Sequence, residues 1–471
     1  MWEKGLNLVL IVLLFVYLFG LIRGIPYLIL FVFLFDNIAP KFGYQRITDD
    51  DLNYVYASEV RNTNYSFTLE IDKIDFESFE KKVYQRLISA ILRMRQIPVS
   101  YFGFYFWKEI NIELARQQVK KENMHFEDED SFFEYLGKLT NQLMKKGEPL
   151  FEFRLIEDYT EDTSMIIYRV QHAFGDGVSF ASLLSTLNDD QFSIKSKKTL
   201  PSFGLWKRLV LAISSIFTLR EVNKHIQDIN TDENTKDIFR KNNKQITETR
   251  YAYTKTEISF EAIKKCYKRY EGMTFNDFAL AIFGKSLYQY CKQEGVENFK
   301  HVRCTIPVSH KTMPTGYNNL FINNYLTLAN IQLPLTDSIR SGYEKIKPYL
   351  NYILSPIIQT QLMNLEHLTP YAPKSFILNR FLEGNNGVHF SLSNFFLSDK
   401  PYVIDGKQVR KVRFFVKNFL GEGVRCYLFT YNNKITLAAG VIGECDFDGK
   451  KLIDPAMANF QEEIDSLHKQ A

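Results

Sequence analysis

At 471 residues the chain is long enough for about three average domains or two large lobes, each able to bury a core of its own. Its 45% hydrophobic and 24% charged residues exclude wholesale disorder and fibrous repeats. The 58 Lys and Arg against 54 Asp and Glu leave only +4, too little and too dispersed for nucleic acid to be the main partner.

Residues Leu6 to Phe35 are almost continuously apolar, broken by Asn7, Arg23 and Gly24. The arms Leu8 to Ile22 and Ile25 to Phe35 are each shorter than the ~20 residues of one straight crossing. Residues 1–36 therefore read as a membrane anchor, either a hairpin or a single kinked span. The apolar run is too long for a cleaved signal peptide, and no small-x-small site follows it.

Residues 37–204 read as a first lobe. Tyr65, Phe67, Leu69 and Ile71 alternate with polar residues, the period of a half-buried strand. Asp75 is placed to cap a helix with Phe76, Phe79, Val83 and Leu87 on its apolar face. Ser131 and Glu134 have capping-box spacing ahead of Phe132, Phe133, Leu136 and Leu139. A strand from Phe151 to Leu155, the polar turn Glu157 to Asp162 and a return from Met165 to His172 predict a hairpin.

Residues 205–245 form the connection. Leu205 to Leu219, rimmed by Lys207, Arg208, Arg220 and Lys224, fits an interfacial helix as well as a core helix between lobes. The polar run from Asn223 to Thr249 reads as a linker.

A second lobe occupies residues 246–471. Its predicted elements are a strand from Tyr251 to Ile258, a helix from Phe260, and a long helix from Phe275 to about Cys291 capped by Thr274. Asp277, three residues after Thr274, completes a capping box. Strands follow at Val302 to Val308 and Asn323 to Leu328, then a hairpin at Val424 to Tyr431 and Lys434 to Val441 turned by Asn432-Asn433. Asp454 at the N-cap and Pro455 behind it open a last helix. The fold class is α/β, two lobes with mixed sheets flanked by helices.

The five cysteines show no CxxC pair and the eight histidines no HExxH, so no metal site is expected. An odd number of cysteines without a framework suits inert, reduced thiols on the cytosolic side. An aromatic share of 15% permits an apolar tunnel or membrane contact.

Chemistry concentrates in Met165 to Phe180, MIIYRVQHAFGDGVSF. Along the strand His172 is in phase with Ile166, Tyr168 and Val170, while Gln171 points the other way. The segment AFGDG then leads into a helix with Asp176 near its N-terminus, where a carboxylate is favoured. On position alone, a lone histidine at a strand end reads as a satisfied structural residue.

The spacing His-x-x-x-Asp-Gly resembles the HHxxxDG motif of the wax ester synthase / diacylglycerol acyltransferase family, within the chloramphenicol-acetyltransferase-like superfamily. Further resemblances follow in order: GEPLFEFRLIED (Gly147 to Asp158), TFNDFALAIFGKSL (Thr274 to Leu287), PVSHKTMPTGYNN (Pro307 to Asn319) and FSLSNF (Phe390 to Phe395). Together they cover roughly residues 60 to 450.

The resemblance implies two chloramphenicol-acetyltransferase-like lobes and an acyl-CoA-dependent O-acyltransferase with His172 as general base. It implies a structural Asp176 turned toward an Arg, with Gly177 permitting the close turn into the helix. Asn276 would face the channel, and Ser391, Ser393 and Asn394 are the candidate oxyanion donors. Acyl-CoA is the expected co-substrate, with no other cofactor, and the acceptor would be a long-chain alcohol or diacylglycerol arriving from membrane lipid. The expected location is the endoplasmic reticulum membrane with cytosolic lobes, or a lipid droplet. In that topology the sequon Asn64-Tyr65-Ser66 would stay unmodified. Gln171 replaces the first histidine of the motif, and Phe-Phe-Leu-Ser follows Asn394 where the family tends to have Val-Pro-Gly-Pro. Gln171 favours the alternative, a catalytically inactive, membrane-attached lipid-binding or scaffold paralogue.

Overall fold

The computed structural model describes residues 38–47, 49–101, 104–189, 238–239, 248–296, 300–311, 320–356, 358–360, 362–363, 374–383, 388–443, 445 and 447–470. The apolar segment 6–35 and the basic-rimmed segment 205–219 lie outside them. Among the described residues no helix is long and apolar enough to cross a membrane.

The first half runs β1 (Tyr44–Arg46), α1 (Asp49–Val60), β2 (Asn64–Asp72), α2 (Phe76–Val83), β3 (Gln96–Tyr101) and β4 (Phe104–Glu109). It continues with α3 (Ile112–Arg116), β5 (Val119–Lys121), α4 (Glu129–Asn141), β6 (Phe151–Ile156), β7 (Thr163–Gln171) and α5 (Gly177–Leu187). The second half holds β8 (Thr249–Tyr253), β9 (Ile258–Ser259), α6 (Phe260–Tyr267), α7 (Phe275–Gln293), β10 (His301–Ser309), β11 (Leu326–Pro334) and α8 (Ile339–Ile353). After α9 (Lys374–Leu378) come β12 (Phe390–Ser398), β13 (Val403–Ile404), β14 (Lys407–Val416), β15 (Val424–Tyr431), β16 (Lys434–Ile442) and α10 (Lys450–Gln470).

These strands build two large mixed sheets and one small one. The first lobe's sheet has the order β13-β14-β2-β7-β6-β5, and the second lobe's has β11-β10-β12-β15-β16-β8 with β9 also on β16. Each sheet has its own apolar core: Phe67, Phe153, Tyr168 and Phe180 in the first, Phe278, Phe283, Phe390 and Leu428 in the second. β13 and β14 come from the C-terminal half yet complete the first sheet, with Phe414 opposite Phe67 and Val416 opposite Tyr65. That crossover ties the two lobes together.

Several elements form as the sequence predicts. Asp75 accepts the Ser78 N–H and caps α2. The β6–β7 hairpin pairs Phe153 with Tyr168. The Thr274–Asp277 capping box opens α7. Asn432 and Asn433 take positive φ in the β15–β16 turn, which asparagine tolerates better than most residues.

Others differ for identifiable reasons. β2 is buried on both faces, not half-buried, because α4 covers its polar side and Ser66 Oγ meets Thr140 Oγ1 at 2.7 Å. α4 begins earlier than expected: Asp128 is the N-cap and Ser131 its reciprocal partner, while Glu134 pairs with Lys138. The strand expected from Tyr251 to Ile258 breaks into β8 and β9, with Lys255 and Glu257 turned out to Asp130 and Lys434. α10 starts at Lys450, its first N–H bonded to Asp448 Oδ1, so Asp454 and Pro455 lie inside the helix and not at its cap. Asn64 is fully buried and its amide nitrogen donates to the Gln142 carbonyl at 2.6 Å. A glycan has no room there, so the sequon cannot report topology in the folded chain.

Candidate active site

β7 ends at Gln171, one residue short of the expected strand, and His172 begins a tight turn that reaches Phe174. Gln171 pairs with Asn64 across the ladder, and paired residues share a face. That face points to α4, where the Asn64 amide is bound. The turn carries His172 to the other side, against Tyr65, with its N–H donated to the Thr63 carbonyl at 3.1 Å.

Aromatic rings wall the imidazole. Tyr54 of α1 stacks on it with centroids 3.9 Å apart and planes at 3°, and Tyr65 and Phe419 present edges at 5.3 and 5.8 Å. His172 is half-buried. Desolvation lowers its pKa to about 4, and the buried Arg425 guanidinium, 5.1 Å above the Phe419 ring, pushes the same way. The imidazole is therefore neutral at physiological pH.

Its tautomer is set by a chain of hydrogen bonds between lobes. Asn324 donates from Nδ2 to the His172 carbonyl at 2.7 Å and to Asp51 Oδ1 at 3.0 Å, and from its backbone N–H to the same Oδ1 at 2.6 Å. A carbonyl and a carboxylate only accept, so the amide orientation is forced. Asn324 Oδ1 then lies 3.0 Å from His172 Nδ1, which must be the protonated nitrogen. Nε2 keeps its lone pair, and no hydrogen-bond partner faces it among the described residues.

Asp51, on α1, anchors that chain. Burial raises its carboxyl to about 6, against the opposing pull of Arg93, whose Nη2 lies 3.0 Å from Asp51 Oδ2. Arg93 is itself held, stacked over Trp107 at 3.7 Å and donating to the Ile322 carbonyl at 3.0 Å.

Asp176 is turned away from the imidazole. Its Oδ1 accepts the Ser179 N–H at 3.0 Å and so caps α5, and its Oδ2 accepts the Tyr325 N–H at 3.2 Å. The cation expected beside it was an arginine; it is Lys311, whose Nζ lies 2.7 Å from Oδ1 and also meets the Ser179 hydroxyl. Lys311 closes β10's end onto the first lobe. Gly177 is not needed for turn geometry, since its φ is not positive. A Cβ there would stand 2.6 Å from the Phe395 ring, so close packing between lobes requires the glycine.

The remaining expected site residues divide between the two faces of one sheet. Ser391 and Ser393 share a face with their register partners Arg425 and Tyr427, toward the first lobe. Ser391 is buried and accepts from Arg425 Nε at 3.1 Å beside the Arg425–Glu422 ion pair, while Ser393 is half-buried. Asn394 lies on the opposite face with its partner Leu428, bonded to the exposed Asn276 at the start of α7. Asp277 serves as a cap. Among the described residues no cluster of His, Cys, Asp and Glu could hold a metal ion. All five cysteines are buried.

Asp51, Tyr54 and Asn324 were not singled out in the sequence. Asp51 ends an acidic triplet that looks like a solvated surface, and Asn324 falls inside a strand expected from Asn323 that starts only at Leu326. The one available signal was the apolar pattern of Leu52, Val55 and Tyr56 behind the triplet, which marks α1 as buried.

No family model and no curated protein matches the sequence. Solved structures do. A wax ester synthase/diacylglycerol acyltransferase from Marinobacter aquaeolei aligns over 90% of this chain and 99% of its own, at 12% identity and a TM-score of 0.56. A trichothecene 15-O-acetyltransferase from Fusarium sporotrichioides aligns over 89% and 94%, at 10% identity and a TM-score of 0.64. This chain has their fold. The same fold is found in the starter condensation domain of rhizomide synthetase, solved with C8-CoA and Leu-SNAC, which covers 91% of this chain and 96% of its own at 10% identity and a TM-score of 0.56. Both large lobes described above fall within that shared architecture.

Proposed function

We propose that the chain is an acyltransferase that moves an acyl group from a coenzyme A thioester to an alcohol, with His172 as general base. The observation that carries the reading is the Asn324 contact at Nδ1, which leaves Nε2 as the proton acceptor. Nε2 takes the hydroxyl proton as the alcohol oxygen attacks the thioester carbonyl. The tetrahedral intermediate then expels the thiolate, which receives that proton, giving an ester and free coenzyme A. An imidazolium with a pKa near 4 is a strong acid toward a thiolate, so the return step is downhill. No covalent acyl-enzyme is needed. Ser393, half-buried on the face toward the first lobe, is the candidate oxyanion donor.

A long-chain alcohol or diacylglycerol is the acceptor class we favour. The aromatic wall of Tyr54, Tyr65 and Phe419 supports an apolar substrate, the apolar residues 6–35 support its supply from a membrane, and a charged, membrane-impermeant acyl-CoA donor favours lobes in the cytosol. The wax ester synthase/diacylglycerol acyltransferase and the condensation domain solved with an acyl-CoA are consistent with that donor. Gln171 does not argue for an inactive paralogue, because it shares the face of Asn64 and not that of the imidazole.

Membranes carrying the full chain, incubated with labelled acyl-CoA and a panel of fatty alcohols, diacylglycerol and sterol, should yield a labelled neutral ester with at least one acceptor. Lipid binding without ester from any acceptor would favour the scaffold reading.

A further inference from the structure

The small sheet β1-β4-β3 has two unlike faces. Its inner face carries Tyr105 and Trp107, packed edge-on to Tyr56 of α1 and beneath Arg93, so it backs the helix that supplies Asp51 and Tyr54. Its outer face, read from the pairing register, carries Tyr44, Arg46, Val99, Tyr101, Phe104 and Lys108 around the buried Phe106. Rings and cations interleave there: Arg46 lies 5.4 Å from the Phe104 centroid and Lys108 5.9 Å from that of Tyr44, whose ring meets Tyr101 edge-on at 5.5 Å. Among the described residues no carboxylate of the three strands lies on that face, whereas Glu109 is on the inner one. Next to it the chain exposes Ile38 at 47%, Lys41, and Phe42 at 73%, and Tyr101 is 42% exposed.

We infer that this outer face docks on an anionic lipid bilayer. The exposed rings of Phe42 and Tyr101 with Lys41 and Lys108 beside them match the headgroup layer, where rings enter the acyl boundary and cations meet phosphate. The sequence brings the chain to the same place, since the apolar residues end at Phe35, a few positions before Ile38 and β1. The consequence is a short path: a bilayer on the outer face lies one sheet and one helix from His172. The inference rests on the membrane supply proposed above, but its test needs no turnover.

The full chain with Tyr101→Cys, reconstituted in phosphatidylcholine vesicles containing phosphatidylserine, would carry a nitroxide at position 101. The native thiols are all buried and stay unlabelled under native conditions. Leu143→Cys, at a 68% exposed site after α4, is the control. Collision with a water-soluble nickel chelate should be several-fold lower at 101 than at 143, and removing phosphatidylserine should weaken that shielding about fivefold, the effect of about 1 kcal/mol for one basic residue near an anionic surface. Equal access at 101 and 143 would overturn the inference. So would equal shielding with and without phosphatidylserine, because the chain itself would then be covering the face. Either failure would leave ester formation untouched.

Discussion

Two buried aspartates flank His172, and both receive backbone N–H groups from the same stretch of the second lobe, Asn324 for Asp51 and Tyr325 for Asp176. Each has a buried cation beside it, Arg93 or Lys311. Only Asp51 is connected to the imidazole, through the Asn324 amide; Asp176 spends its oxygens on a helix cap, an ion pair and a strand start. The difference teaches that proximity to a base does not make a carboxylate part of its chemistry. What decides is where its acceptor orbitals are already committed.

That contrast can be broken by substitution. His172→Ala removes the base itself and should cut ester formation by ~10²- to 10⁴-fold with expression and membrane attachment unchanged. Activity within about twofold of the parent in the acyl-transfer assay would end the mechanism.

Asp176→Asn should act on the fold. Breaking a buried pair by removing one partner costs about 3 to 5 kcal/mol, so denaturant midpoints should drop while the folded fraction keeps its specific activity. A stable but inert variant would make Asp176 chemical and erase the distinction.

Asn324→Ala and Asp51→Asn should act on the base. Loss of the hydrogen bonds to Nδ1 and the carboxylate should raise the barrier by about 1 to 3 kcal/mol, lowering turnover about 5- to 150-fold for Asn324→Ala and less for Asp51→Asn. The two groups also respond oppositely to acid. His172 is held below its usual value, so the fold loses stability as pH falls from about 6.5 to about 4, where the unfolded chain takes a proton first. Asp51 is held above its usual value, so its proton-linked contribution is present at low pH and is lost as pH rises through about 6. In Asp51→Asn only the first effect remains, and stability should fall more steeply on acidification than in the parent. Parallel curves would mean Asp51 does not titrate as described.

The smallest effect belongs to Gln171→His, within about twofold of the parent, because position 171 faces α4 with Asn64. A large gain of activity would place that side chain in the reaction.

Local signals in the sequence carried the hairpin that leads up to His172, the helix cap at Asp176 and the Thr274–Asp277 box, since each is specified within a few residues. Long-range choices were not legible. Nothing in Lys407–Val416 says that it joins β2 in the other lobe's sheet, because alternating apolar residues fit either sheet. Asp51 and Asn324 are 273 positions apart, and each has an ordinary local reading that only tertiary contact overrides. The lysine at Asp176 was hidden for the same reason, since a partner cation is a matter of reach and not of spacing.

The central claim is that His172 sits as a neutral imidazole with its proton on Nδ1. Side-chain ¹⁵N NMR of the histidine-labelled full chain, compared with His172→Ala to identify the missing resonance pair, reads this directly. We expect a protonated Nδ1 and a bare Nε2 at neutral pH, titrating near 4. A proton on Nε2, or a midpoint at the ordinary histidine value near 6.5, would contradict the assignment of His172 as the base.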